Sequence, residues 1–159
     1  IRQLARLSKL SPNTIINLTN ELARDKLIVK SEPTEKPFAA ITANKEHWLY
    51  KLKKLEYNIE RIHRSGLVEF LNRELSYPTI ILFGSYAKAE NHENSDIDLF
   101  VLADEKKALD LDIYQKNLNA EIQVFLHTKK EFNQLKRKNK ELINNIINGY
   151  KLTGYLEVL

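Results

Sequence analysis

The stretch IILFGSYAKAENHENSDIDLFV, Ile80 to Val101, decides how this chain is read. An apolar run stops at Gly84-Ser85, ten mostly polar residues follow (Tyr86 to Ser95), and Asp96 and Asp98 then stand inside a second apolar run. Side chains at i and i+2 of a strand point the same way. Asp96 and Asp98 should therefore project together from one face, with Ile97, Leu99 and Val101 on the other. Two neighbouring carboxylates repel and make poor core unless a divalent cation sits between them. Gly84-Ser85 falls where the first strand should turn into a helix. Glycine permits close backbone approach, and a helix start offers free N–H groups to an anion. The pattern predicts a metal–triphosphate site: Gly84 at the close approach, the Ser85 hydroxyl and adjacent amides on phosphate, and Asp96 and Asp98 on the metal.

Competing phosphate and hydrolase motifs are absent. There is no G-x-x-x-x-G-K-[ST]. The four glycines, at 66, 84, 149 and 154, cannot form G-x-G-x-x-G. Ser85 is not in a G-x-S-x-G elbow, and His47, His63, His92 and His127 lack zinc-ligand spacing.

The 159 residues suffice for one ordinary domain or two small ones. No apolar run approaches the roughly 20 residues that cross a bilayer, and no signal-peptide pattern opens the chain; no membrane partner is expected. Without cysteine there is no disulfide or thiolate metal site, which fits a cytoplasmic protein. A chain opening on Ile1 rather than Met is expected to begin inside a longer protein. The net charge of +4 is uneven: residues 65–104 carry 2 Lys and Arg against 7 Asp and Glu, while 1–64 carry 13 against 7 and 105–159 carry 10 against 7. An acidic block holding the Asp pair between basic flanks suits metal-assisted phosphate chemistry.

The expected class is α+β in three parts. Residues 1–43 read as a winged helix-turn-helix lacking its first helix. Ile1–Ser8 is helical; Ser11 caps and Pro12 opens a second helix to about Asp25. On that helix Ile15, Thr19 and Leu22 share one face, and Asn13, Asn17, Asn20 and Arg24 the opposite one, where they would read DNA base edges. KLIVK and FAAITAN read as strands either side of a SEPTEKP loop tip. A small helical module used for dimerising fits the same pattern. Residues 44–65 read as a connecting helix, with Trp48, Leu52, Leu55, Ile59 and Ile62 at a/d spacing. That stripe suits packing on its own chain or in a homodimer, and Ser65-Gly66 marks the boundary. Residues 66–159 interleave strands (TIILF, DIDLFVLA, AEIQVFLHT) with helices, the last running from Lys129 to Ile147, and close on a short extended piece.

Gly84-Ser85, ten residues and Asp96-x-Asp98 resemble the G-S-x(10)-D-x-D signature of the DNA polymerase beta-type nucleotidyltransferase superfamily. LFGSYAKAE with SDIDL is similar to the hallmark of its minimal nucleotidyltransferases, which include the antitoxin half of HEPN–MNT toxin–antitoxin pairs. The likeness covers about residues 66–157, including NNIINGYKLTGYL, and with the N-terminal part the chain resembles archaeal nucleotidyltransferase-domain proteins. The resemblance implies a small α/β domain with a mixed sheet, Mg²⁺ or Mn²⁺ on Asp96 and Asp98, and a nucleoside triphosphate, with ATP expected. An acceptor hydroxyl would attack its α-phosphate. It also implies a third carboxylate on the next strand, as metal ligand or base. Glu121 is the nearest candidate; Gln123 and Phe125 share its face, so a one-step register change would put a non-carboxylate there. The family's Ala-Arg-Gly appears as Ala87-Lys88-Ala89, where Lys88 keeps the charge on the phosphate without the Arg fork.

Three functions follow. One is a transferase moving a nucleoside monophosphate onto a protein or small-molecule hydroxyl. The second is a DNA-binding transcriptional regulator whose transferase domain is a nucleotide sensor or relic. The third is an antitoxin acting on a cognate HEPN-type toxin.

Overall fold

The computed structural model describes residues 1–31 and 40–157. Most of the SEPTEKP loop tip and the start of FAAITAN lie outside the described residues. The chain divides into two compact units, Ile1–Lys53 and Lys54–Leu159.

The first unit opens with α1 (Arg2–Ser8), which ends at Lys9 in the left-handed conformation, φ 57°. Helix α2 (Pro12–Arg24) starts as the sequence dictates: Pro12 occupies the first turn and the Thr14 N–H donates to Ser11 Oγ at 3.1 Å. Ile15 and Thr19 are buried, and Leu22, expected on their face, is 39% exposed. Strands β1 (Ile28–Lys30) and β2 (Ile41–Ala43) pair antiparallel, Val29 opposite Thr42.

Helix α3 (Trp48–Arg64) begins later than the expected Asn44. Asn44 is engaged with the hairpin base: its N–H donates to the Leu27 carbonyl and its Nδ2 to the Lys26 carbonyl, both at 2.9 Å. A residue held that way cannot also open a helix.

The second unit follows α3 with α4 (Leu67–Glu74), β3 (Thr79–Phe83), α5 (Gly84–Ala87), β4 (Ile97–Leu102), α6 (Asp112–Leu118), β5 (Ile122–His127), α7 (Lys129–Lys138), α8 (Lys140–Ile147) and β6 (Tyr150–Thr153). Its sheet has the order β5-β4-β3-β6; β4 and β5 are parallel and the other pairs antiparallel. The two-residue period sorts the core. Ile80, Leu82, Ile97, Leu99 and Val101 pack with Ile62, Leu67 and Leu71 of α3 and α4. Ile81, Phe83 and Phe100 pack on the other face with Phe132, Ile143 and Ile146 of α7 and α8. Each such side chain contributes about 1.5–3 kcal/mol by leaving water. Ile59 and Ile62 belong to this core, so the lower part of α3 packs within the second unit. The upper stripe residues Trp48 and Leu52 are exposed.

The expected helix from Lys129 to Ile147 is two helices. Asn139 leaves helical geometry (φ −138°, ψ 79°), and its Oδ1 accepts the Leu142 N–H at 3.0 Å, capping α8. Helix α7 starts with a capping box in which Thr128 Oγ1 accepts the Glu131 N–H and Glu131 accepts the Thr128 N–H at 2.8 Å. Among the described residues no helix is long and apolar enough to cross a membrane.

The capping box yields a pH signature. The Thr128 N–H bond, then Lys106, holds the Glu131 carboxyl at about 2, below its ordinary 4.5. A depressed carboxylate stabilises the fold above its unfolded value, and the gain is lost as pH falls through the folded one. Glu131→Gln should lower the melting temperature at pH 7, and the gap to wild type should close between pH 4.5 and about 2. Thr128→Ala should cost about 1 kcal/mol in urea denaturation with the m-value unchanged.

Candidate active site

Strand β3 ends at Phe83 and the chain turns into α5 through Gly84, at φ +68°. The antiparallel register sets Phe83 opposite Asp98 on β4. A Cβ added to Gly84 would lie 2.2 Å from Asp98 Oδ2 and 3.1 Å from its Cγ. The carboxylate fills the space that any other residue at 84 would need, in a backbone conformation that also favours glycine.

Asp98 is half-buried in β4. Burial, then the charge of Asp96, pushes its carboxyl above the ordinary value of 3.8. Asp96 immediately precedes β4, and its Oδ2 accepts from Gln123 Nε2 at 2.6 Å. Ile97 between them is 1% exposed, in the core facing α3 and α4. Ile97, Leu99 and Val101 face the core beneath α3 and α4, while Asp98 lies on the other side of β4 against Gly84.

The residue that meets the pair from β5 is Gln123. The parallel register aligns Asp98 with Gln123 and Ile97 with Ile122. Glu121 stands one residue ahead of β5 and is exposed; its carbonyl takes the Ile97 N–H at 2.8 Å. It lines an open depression with Glu93, Asn94, Gln115, Lys116 and Asn119. Among the described residues no three or more His, Cys, Asp or Glu side chains form a group that could hold a metal ion. The structure joins Gln123 to Asp96 by a hydrogen bond, and among the described residues Asp96, Asp98 and Glu121 do not form a group of three that could hold a metal ion. Glu121 and Gln123 share a face, so only the strand pairing distinguishes them.

Lys88 is exposed at the end of α5, and Ala89 follows at φ 57°, buried. A left-handed Ala costs roughly 1–2 kcal/mol, where glycine would take the same shape freely. Sequence reasoning passed over Asn58 and Asn91, which bond to this turn. Asn58 had a signal: it lies three residues after Leu55 and four before Ile62, a polar residue within the apolar stripe.

Asn13, Asn17, Asn20 and Arg24 are all exposed on α2, in the first unit. Asn20 is already engaged within that unit, its Oδ1 accepting from Lys30 Nζ at 2.6 Å.

A family model described as polymerase beta, nucleotidyltransferase matches residues 65–153, a span that includes Gly84, Asp96, Asp98 and Gln123. No curated protein matches the chain.

Because its carboxyl is raised, folded Asp98 holds its proton more tightly than the unfolded chain does. Stability therefore falls as pH rises from 3.8 through the folded value, and the cost persists at neutral pH. Asp98→Asn should raise the melting temperature at pH 7, and that gain should vanish below pH 3.8. An unchanged gain at low pH would assign it to packing and not to charge.

Proposed function

We propose a function for a chain that belongs to the polymerase beta nucleotidyltransferase family: Mg²⁺-dependent transfer of a nucleoside monophosphate from a triphosphate, with ATP the expected donor, to a hydroxyl on a protein or small molecule. The observation that carries the proposal is the Asp98 carboxylate packed over Gly84 with Asp96 beside it, at the turn between β3 and α5.

The donor set fits a hard divalent cation. It is all oxygen, two carboxylates destabilise each other without a counter-charge, and the pair leaves positions for phosphate oxygens and water. Bound there by Asp96 and Asp98, the cation would neutralise the triphosphate and the charge that develops on its α-phosphate. The Ser85 hydroxyl and the first amides of α5 would hold phosphate oxygens, and Lys88 would add positive charge beside them. Gln123 holds Asp96 in orientation by its amide N–H. An acceptor hydroxyl would then form a bond to the α-phosphorus as the bond to the β-phosphate bridging oxygen breaks and pyrophosphate leaves. Its proton would pass to solvent or to a site carboxylate. Catalysis here is positioning and charge stabilisation.

Gln123 favours a second reading. Where the resemblance implies a third carboxylate there is an amide, so the domain would bind a triphosphate without transferring it, as a sensor. The first unit would then act: α1, α2 and the β1–β2 hairpin follow the winged-helix order, and exposed Asn13, Asn17 and Arg24 would meet DNA.

Calorimetric titration of the four nucleoside triphosphates with Mg²⁺, beside transfer of α-labelled nucleotide, separates the readings. Wild type should bind in a metal-dependent way, and Asp96→Asn with Asp98→Asn should reduce transfer at least about 100-fold while the circular dichroism spectrum is kept. Retained transfer would sink the site. Binding without transfer, with turnover appearing in Gln123→Glu, would establish the sensor reading.

A further inference from the structure

The turn between Ser85 and Asn91 is held from α3 by side-chain hydrogen bonds. Asn58 is 2% exposed. Its Nδ2 donates to the Tyr86 carbonyl at 2.9 Å and to Asn91 Oδ1 at 2.9 Å, and its Oδ1 accepts from Asn91 Nδ2 at 3.4 Å. One helical turn earlier, Lys54 Nζ donates to the Asn91 carbonyl. A buried amide is tolerated when its donors and acceptor are all used, and those of Asn58 are all spent on this segment.

The held segment has a backbone that its sequence does not favour. Ala89 lies between the two anchor points at φ 57° and is 7% exposed. Its N–H donates to the Tyr86 carbonyl at 3.3 Å, and the Glu90 N–H donates to the Ser85 carbonyl at 2.9 Å. Left-handed backbone is unfavourable for Ala, so the turn would relax if its ends were free. Asn58 fixes one end at Tyr86 and, with Lys54, the other at Asn91.

We propose that Asn58 is a positioning residue for the nucleotide site: it clamps the Ser85–Asn91 turn to α3, so that Ala89 stays left-handed and Ser85 and Lys88 are presented to the phosphates. The clamp stands on the hydrogen bonds alone; its effect on phosphate rests on the nucleotide reading above. Asn58 has no substrate contact in this scheme and acts through the backbone of the turn. Glycine at position 89 would take the left-handed form without strain, so the need for the clamp depends on Ala89. A polar pair that merely fills the core would carry no such dependence.

Two measurements on the full chain test this. The first is amide hydrogen exchange without nucleotide, comparing Glu90 with Phe100 as a probe of core β4. In Asn58→Leu the Glu90 amide should exchange about tenfold faster relative to Phe100. An unchanged ratio would overturn the clamp. The second is Mg²⁺-ATP titration across a double-mutant cycle with Ala89→Gly. Asn58→Leu should weaken binding about tenfold in the chain that keeps Ala89 and about twofold or less in the Ala89→Gly background. Equal losses in both would overturn the positioning role. Asn91→Ala, which keeps the Asn58 bond to Tyr86, should give the same pattern at smaller amplitude and serves if Asn58→Leu does not fold. If wild type binds no nucleotide, the nucleotide reading fails, and the exchange ratio still decides the clamp.

Discussion

The Asp98 carboxylate occupies the volume that a side chain at position 84 would take, and the end of the sheet is arranged around that exchange of space. It follows from one register, Phe83 opposite Asp98. A shift by one residue would move Asp98 to the face packed by α3 and α4 and bring Leu99 toward α7 and α8, exchanging a charge and an apolar side chain between cores. The apolar residues of β4 on both faces thus fix where Asp98 sits. With Asp98 placed, Asp96 follows from the two-residue period, and the parallel partner β5 supplies Gln123.

A sheet covered by helices on both faces also constrains the elements away from the Asp98 turn. All five residues of β3 are buried, so its sequence is apolar from Ile80 to Phe83 and does not alternate, and the one polar member, Thr79, spends its hydroxyl on the Tyr155 backbone. The lower half of α3 is one of the layers, through Ile59 and Ile62. Asn58 lies at helical spacing in that apolar stripe, where its amide meets the turn after α5 and replaces apolar contact with directed bonds. The same helix thereby contributes to the core and grips the segment that leads from Ser85 to Asp96.

The site's chemistry follows from what surrounds the two carboxylates. Partial burial and the charge of Asp96 raise the energy of the charged Asp98 carboxylate, a condition that a divalent cation would relieve. The neighbour from β5 is an amide that donates to Asp96, so it orients that carboxylate without adding negative charge. Two carboxylates serve cation binding as well as three do in kind, though not in strength. This is why binding and transfer are separate questions for this chain.

The features legible in the sequence are those set by neighbours along the chain. Ser11 and Pro12 open α2 through a local cap, Gly84 marks the turn after β3, and the period of two puts Asp96 and Asp98 on one side of β4. The start of α3 was not legible, because Asn44 is held by Lys26 and Leu27 across the hairpin. Asn139 looked like one more polar residue on a helix surface until its side chain was seen to cap α8. Glu121 and Gln123 were indistinguishable by parity, and the role of Asn58 depended on which segment came to lie against it. Caps, turns and side-chain periodicity are energies of a few adjacent residues, and the sequence by itself determined them. Register and the partners of buried amides depend on residues far apart in the chain that meet only when the sheet closes and its two cores form, and those the tertiary structure alone decided.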